Sequence, residues 1–286
     1  GEEGAGVKTI IEMVHHTRLD AALANASLMR RATTEALIHC AHRGAFGERL
    51  IKQPLMRAVL ADLWLESEAA TWTALSLAHT FDLAQGNTPS GDMGASAQEA
   101  KLFTRLATAV VKYWVCKRTP PHVYEALECH GGAGYVEESV MARLYREAPL
   151  NSIWEGSGNV MCLDILRALQ RSPESLSVFL KRCSAARGQY SALDARLDAL
   201  HELLKGASSW SPERAAAQAR RVGAELALCL QGSLLAQHAP EPIASAFCEA
   251  RLREATPRVY GDLSSAGDVD AVLKRADPLL DQLNIS

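Results

Sequence analysis

The chain has 286 residues, 48% of them hydrophobic, enough for a sizeable buried core and too many for a disordered segment. With 30 basic and 33 acidic side chains the net charge is -3, so no overall positive field exists to hold nucleic acid or an anionic membrane surface. The seven cysteines are odd in number and contain no Cys-x-x-Cys pair, which argues against a disulfide framework or a zinc site and for buried thiols in a reducing compartment.

The opening GEEGAGVKTIIEMVHH lacks the basic-then-apolar order of a signal peptide. No apolar run approaches the ~18 residues of a membrane span, so no membrane insertion is expected. The expected location is the cytoplasm, or the mitochondrial matrix where a targeting segment has been removed. Helical period starts at about Val7 and runs to Cys40, ending near His42-Arg43-Gly44. HRGAFGERLIKQP follows and has two readings. It is a loop between helices anchored by a buried Phe46, or a site where the planar fork of Arg43 pairs with a phosphate beside Phe46 and Gly47.

Pro54 opens a long amphipathic helix whose apolar stripe is Leu55, Val59, Leu63, Ala70, Ala74, Leu77 and Phe81. GNTPSGDMGAS reads as a loop. The next helix carries Leu102, Leu106, Val110 and Tyr113 on one face, and Pro120-Pro121 starts a shorter helix running to Gly131. ECHGGAGYVEES has Rossmann-like glycines, yet no strand precedes them, so Gly131-Gly132 reads as a helix C-terminus followed by a tight turn.

A boundary falls near QRSPES. Beyond it Leu193, Leu197, Leu200 and Leu204 form a stripe, and Ser211-Pro212-Glu213 opens a helix that closes at Pro240. The chain therefore reads as all-α, in two helical units: an antiparallel bundle of long helices over residues 1–170, and a helical extension over 171–286 packed on it.

One carboxylate has an unusual setting. Glu155 stands between Trp154 and Gly156-Ser157-Gly158, just before a helix beginning near Val160 that Ser157 or Asn159 caps. A neighbouring indole excludes water, which raises a carboxylate's pKa and makes it a better general base, and the glycines let a planar group approach the backbone. The same residues also make an ordinary helix-entry loop with a solvated Glu. His15-His16 and Cys129-His130 are adjacent in sequence, poor spacing for chelation on a helix, so no metal site is expected. Arg220-Arg221 near Arg214 reads as a solvated face.

Taken in order, the three segments Arg43 to Gly47, Glu128 to Tyr135 and Trp154 to Ser157 resemble the C-terminal helical domain of the flavin-dependent acyl-CoA dehydrogenases. TRLDAAL, CKRTPPHVYEALE and LYREAPLNSIWEGSGNVMCLD look most like its alkylation-response, isovaleryl-CoA dehydrogenase-like branch, whose extra helical C-terminal region residues 171 onward resemble more loosely. The resemblance implies FAD as cofactor and an acyl-CoA substrate, of short or branched acyl chain. It implies a dimer or tetramer, with electron-transfer flavoprotein as a further partner. Glu155 matches the base that removes the α-proton of the thioester. Arg43 and Phe46 match residues that contact the FAD of a neighbouring subunit. Gly131 and Gly132 match a flavin-contacting turn, Ser157 and Asn159 match positions near the flavin, and Arg18 matches an Arg near the thioester, with Trp154 and Gly156 beside the substrate. Two positions depart from the family pattern: Glu128 stands where Gln is usual in contact with the cofactor, and His15 where an acidic residue is frequent. The family's other domains supply much of the pocket, so these 286 residues alone are expected to be inactive.

Two alternatives come from other classes: a DNA-associated alkylation-response protein, and a helical oligomerisation module without chemistry. For the first, residues 171 onward carry 14 basic and 14 acidic side chains, which gives the extension no net positive charge.

Overall fold

The computed structural model describes residues 2–87, 96–253, 266–276 and 278–279. Three long helices carry the fold. α1 spans Gly6–His42, α2 spans Pro54–Ala84 and α3 spans Ala97–Glu128. Side-chain contacts fix their directions. Asn25 bonds to Cys116 and Thr33 to His122, so α1 and α3 run the same way, whereas His16 meets Phe81 and Arg30 lies over Trp64, so α2 runs against them. Each helix is thus antiparallel to the one before it. α3 is buried on nearly all sides, because α1, α2 and later helices pack on it. Its start is secured by a capping box, with Ser96 and Glu99 each satisfying the other's backbone N–H.

Pro120 and Pro121 do not begin a new helix, as the sequence led us to expect; α3 runs straight through them. Two adjacent prolines remove two donors from the ladder, but their fixed φ is helical. Flanking contacts hold the turn: Thr119 donates to the carbonyl of Val115, and His122 and Val123 are fully buried against α1 and α2. The stripe of α2 is also shorter than expected at its start, since Leu55 is exposed while Leu63, Ala70, Ala74 and Leu77 are in the core.

After α3 come the single turn α4 (Gly132–Tyr135), α5 (Val140–Glu147) and α6 (Gly158–Arg171). The chain continues as α7 (Pro173–Cys183), α8 (Ser191–Ala207), α9 (Pro212–His238), α10 (Glu241–Phe247) with a following π turn at Cys248–Leu252, and α11 (Ala266–Leu273). The leucine stripe of α8 is buried at Leu193, Leu197 and Leu200, and Ser211 caps α9 by accepting the N–H of Arg214. α9 packs on α2, α3 and α6, and α11 packs on α2, so one apolar core runs from the long helices into the later ones. All seven cysteines are free and buried. No helix among the described residues is long and apolar enough to cross a membrane.

Charge is also buried along α2. Asp62 and Glu66 pair with Arg251 of the π turn, Glu66 pairs with Arg118, and Glu68 pairs with Arg275. Burial alone would raise the Glu66 carboxyl, but the Arg118 and Arg251 guanidiniums outweigh it and hold it well below the usual range. His122, beside this network, is fully buried, and desolvation pushes its pKa down to about 3. It is neutral in the fold and takes up a proton near pH 6.5 once unfolded. Between these values the unfolded state binds more protons, so stability falls as pH drops from 6.5 towards 3. His122→Gln should flatten that slope in urea titrations at pH 7 and pH 5. An unchanged slope would contradict a neutral buried imidazole.

Candidate active site

The expected site residues fall into two groups at opposite ends of the α1–α3 pair. At one end α1 leads through Arg43 into a two-residue hairpin, Gly44–Ala45 paired antiparallel with Glu48–Arg49. The sequence carried no strand signal here. The turn residues Phe46 and Gly47 both have positive φ, 55° and 87°, the two-residue arrangement that matches strand twist but disfavours a bulky residue at its first position. Phe46 is 98% exposed, so the buried-anchor reading is wrong: among the described residues nothing covers the ring. The adjacent end of α3 supplies Glu128, then Gly131 and Gly132, all exposed. The α1 and α3 ends are held together by the rings of His39 and His130, 4.6 Å apart. A Cβ on Gly131 or Gly132 would meet nothing within 4 Å, and Gly131 has φ 59°, so this turn leaves its backbone open to an outside group.

About 21 residues back along α1, roughly 30 Å at 1.5 Å per residue, lies the second group. Here Glu155 sits in the loop between the short turn Leu150–Ser152 and α6. Its φ is 57°. Among the described residues, Phe46 and Glu155 are the two non-glycine positions with positive φ. Such backbone costs about 1–3 kcal/mol and persists only where surroundings enforce it.

At Glu155 the enforcement is visible. Lys112 of α3, 1% exposed, donates from Nζ to the carbonyls of Trp154 (2.9 Å) and Gly156 (2.6 Å). Arg18 donates from Nε to the carbonyl of Glu155 (3.0 Å). Three successive carbonyls are therefore held by two cations from two helices. The carboxylate itself accepts the Thr17 hydroxyl at Oε2, 2.8 Å away. Gly156 has φ 109°, a backbone that strains any side chain, and a Cβ there would also push aside the tip of Met161, whose Cε would be 2.5 Å away. Burial lowers the Lys112 pKa, partly offset by Cys116 and Glu155.

Other expectations change in detail. Trp154 is 51% exposed with its indole N–H on Asn151, so within this chain it does not enclose Glu155. α6 starts at Gly158, two residues before Val160. Ser157 takes the N-cap position, but its hydroxyl makes no cap bond. Asn159 accepts from Arg220 Nε, so Arg220 is not simply a solvated charge. Thr17 and Lys112 escaped the sequence reading. Lys112 had a signal, a lone charge in the apolar run ATAVVKYWV; Thr17 had none beyond its place next to Arg18.

Residues 4–170 match the model of the acyl-CoA dehydrogenase C-terminal domain. The chain belongs to the acyl-CoA dehydrogenase family. Among curated proteins it is 38% identical to "Putative acyl-CoA dehydrogenase AidB" of Escherichia coli, over 88% of this chain and 43% of that protein. It is 30% identical to acyl-CoA dehydrogenase family member 11 of Caenorhabditis elegans, over 84% of this chain and 40% of that protein. The structure of C. elegans ACDH-11 in complex with C11-CoA superposes with a TM-score of 0.79 at 26% identity, covering 98% of this chain and 49% of that one. A Bacillus anthracis acyl-CoA dehydrogenase complexed with FAD shares the fold, with a TM-score of 0.70 at 13% identity, covering all of this chain and 51% of that one. The chain thus spans less than half the length of the curated relatives it matches. As in this family's C-terminal domain, the architecture is a helical bundle with almost no strand.

Proposed function

We propose that this chain is the C-terminal part of an FAD-dependent acyl-CoA dehydrogenase-like protein that desaturates a short or branched acyl-CoA between Cα and Cβ, with Glu155 as the base. The observation that carries the reading is the enforced backbone of Glu155: strained φ, three clamped carbonyls and a carboxylate oriented by Thr17. A solvated helix-entry Glu needs none of these.

Each residue then has a role. Thr17 occupies Oε2 and leaves Oε1 to take the α-proton of the thioester. Lys112 and Arg18 fix where that oxygen points, so little reorganisation is left for the reaction. Trp154 limits water on one side, and Gly156 keeps the loop close to α6. When bound, FAD supplies the acceptor for the β-hydride. The residues present fit a flavin brought from outside this chain: Phe46 projects uncovered from its hairpin, Arg43 is exposed beside it, and Gly131-Gly132 leave open backbone. Because this group lies far from Glu155, we assign Arg43, Phe46, Glu128, Gly131 and Gly132 to the flavin of a neighbouring subunit, and Glu155, Arg18, Ser157 and Asn159 to the chain's own site. The protein is accordingly a dimer or tetramer.

Arg43→Ala tests the first assignment. One charge-assisted contact contributes about 1.5–3 kcal/mol, so the variant of the whole protein should lose FAD about 10-fold or more readily on dialysis. Equal flavin retention by variant and wild type would remove Arg43 from the cofactor site. No charge asymmetry favours the DNA-associated alternative; a steep salt dependence of duplex binding would revive it.

A further inference from the structure

Arg18 ties the Glu155 loop to α6, and each nitrogen of its guanidinium has a place. Nε donates to the Glu155 carbonyl (3.0 Å). Nη2 lies along the backbone of Gly156, 3.5 Å from where a Cβ would stand. Nη1 donates to Asp164 Oδ2 (2.9 Å). Asp164 stands in the second turn of α6 and is 7% exposed. Its other oxygen is approached at longer range by Arg105 of α3 at 3.3 Å and Arg167 of α6 at 3.5 Å. A planar fork paired with a carboxylate through one nitrogen has the directions of its other N–H groups fixed as well. Asp164 therefore decides where Nε points, and Nε ends on the carbonyl of the residue with the left-handed backbone.

We propose that Asp164 is a positioning residue for the proton abstraction assigned to Glu155, a proposal that rests on that assignment: through Arg18 it aims the loop, and as the counter-ion of Arg18 it keeps the guanidinium charge from weakening the base. The second part is electrostatic. A cation beside a carboxylate favours its ionised form, and a carboxylate so favoured takes a proton less readily. The loop already has the Lys112 ammonium against two of its carbonyls. Arg18 brings a second cation from α1, and Asp164 is the anion paired with it. Other charged groups facing this pair are Arg105 of α3, Arg167 on α6 itself, Arg220 of α9, which donates to Asn159, and His15 of α1 with His16 beside it. Of these, only the histidines titrate near neutral pH. The pKa of His15 is lowered by burial first, then by Arg18 and Arg105, with Asp164 opposing them, so its charge is lost below pH 6.5 and must be separated from that of the base.

The test is the pH profile of flavin bleaching by saturating isovaleryl-CoA in the whole protein, for wild type and Asp164→Asn. The amide still accepts from Arg18 but no longer neutralises it. The plateau rate should fall about 10-fold, the weakening of one charge-assisted hydrogen bond, and the acid limb should move to lower pH by at least about half a unit. Flavin content and the thioester concentration for half-saturation should stay as in wild type. Asp164→Glu keeps the charge and should leave the limb at the wild-type pH. Where Asp164→Asn fails to fold by circular dichroism, Arg18→Gln replaces it with the opposite sign: it removes the cation and leaves the anion, so the limb should move to higher pH. A limb that does not move, with or without a fall in the plateau, would overturn the proposal, because a residue that only anchors α6 leaves the base's titration in place. A shift that vanishes in a His15→Gln background would belong to His15 and would overturn it too. Bleaching that Glu155→Gln does not slow sinks the base assignment and this proposal with it, whereas a slow Glu155→Gln variant with an unmoved Asp164→Asn limb sinks this proposal alone.

Discussion

In the whole protein, Glu155→Gln is expected to leave the flavin bound and acyl-CoA affinity largely unchanged while slowing bleaching of the flavin by a substrate thioester by at least ~10²-fold, the lower end of general-base contributions. The substitution keeps size and the hydrogen bond from Thr17, because a glutamine oxygen still accepts. It removes the oxygen that takes a proton. Lys112 and Arg18 bind backbone carbonyls, not the carboxylate, so they hold the loop equally well in the variant. The effect therefore reports on proton transfer and not on loop position. Stopped-flow spectra with isovaleryl-CoA would measure it. Equal bleaching rates would remove Glu155 as the base.

A second large effect is expected in stability. Arg251 is buried in the core, where it pairs with Asp62 and Glu66. Arg251→Met would leave Asp62 without that cation and Glu66 with Arg118 alone on an otherwise buried face. Removing one partner of a buried ion pair typically costs 3–5 kcal/mol, so the urea midpoint should fall steeply. The loss should also be felt in how the later helices sit on α2, since Arg251 joins the π turn after α10 to that helix. A triple variant, Arg251→Met with Glu66→Gln and Asp62→Asn, should recover part of the loss, because it removes the stranded charges. A single variant within 0.5 kcal/mol of wild type, the range of ordinary surface changes, would show that the pair contributes nothing net.

Long helices were legible because their burial repeats with helical period: the stripes of α2, α3 and α8 placed most core residues, while Leu55 is exposed, Leu102 is half-buried outside the core, and Val59, Phe81 and Leu204 are partly buried at its edge. What the sequence hid was tertiary in origin. Pro120-Pro121 is a local break signal overridden by packing of His122 and Val123. The hairpin at Arg43–Arg49 was invisible because Phe46 is a poor residue for a left-handed turn position. Glu155 could be singled out from its glycines, yet its clamp could not, since Lys112 is 43 residues away and Arg18 137 residues away. The family resemblance assigned Arg43 and Phe46 to a neighbouring subunit's flavin, but the spacing of the motifs carried no distance between the groups; the parallel course of α1 and α3 puts Gly131 beside the end of α1 and Glu155 nearer its start.

That division is the central claim, and subunit complementation tests it most directly. Arg43→Ala and Glu155→Gln chains would be co-expressed under different tags and the mixed oligomer purified. If each chain gives its base to one site and its hairpin to another, a mixed dimer has one site with both residues intact and should recover about half the wild-type bleaching rate, as two-fold symmetry dictates. If both groups serve the same chain's site, every site in the mixture carries a defect, and activity no higher than the better single variant would contradict the account.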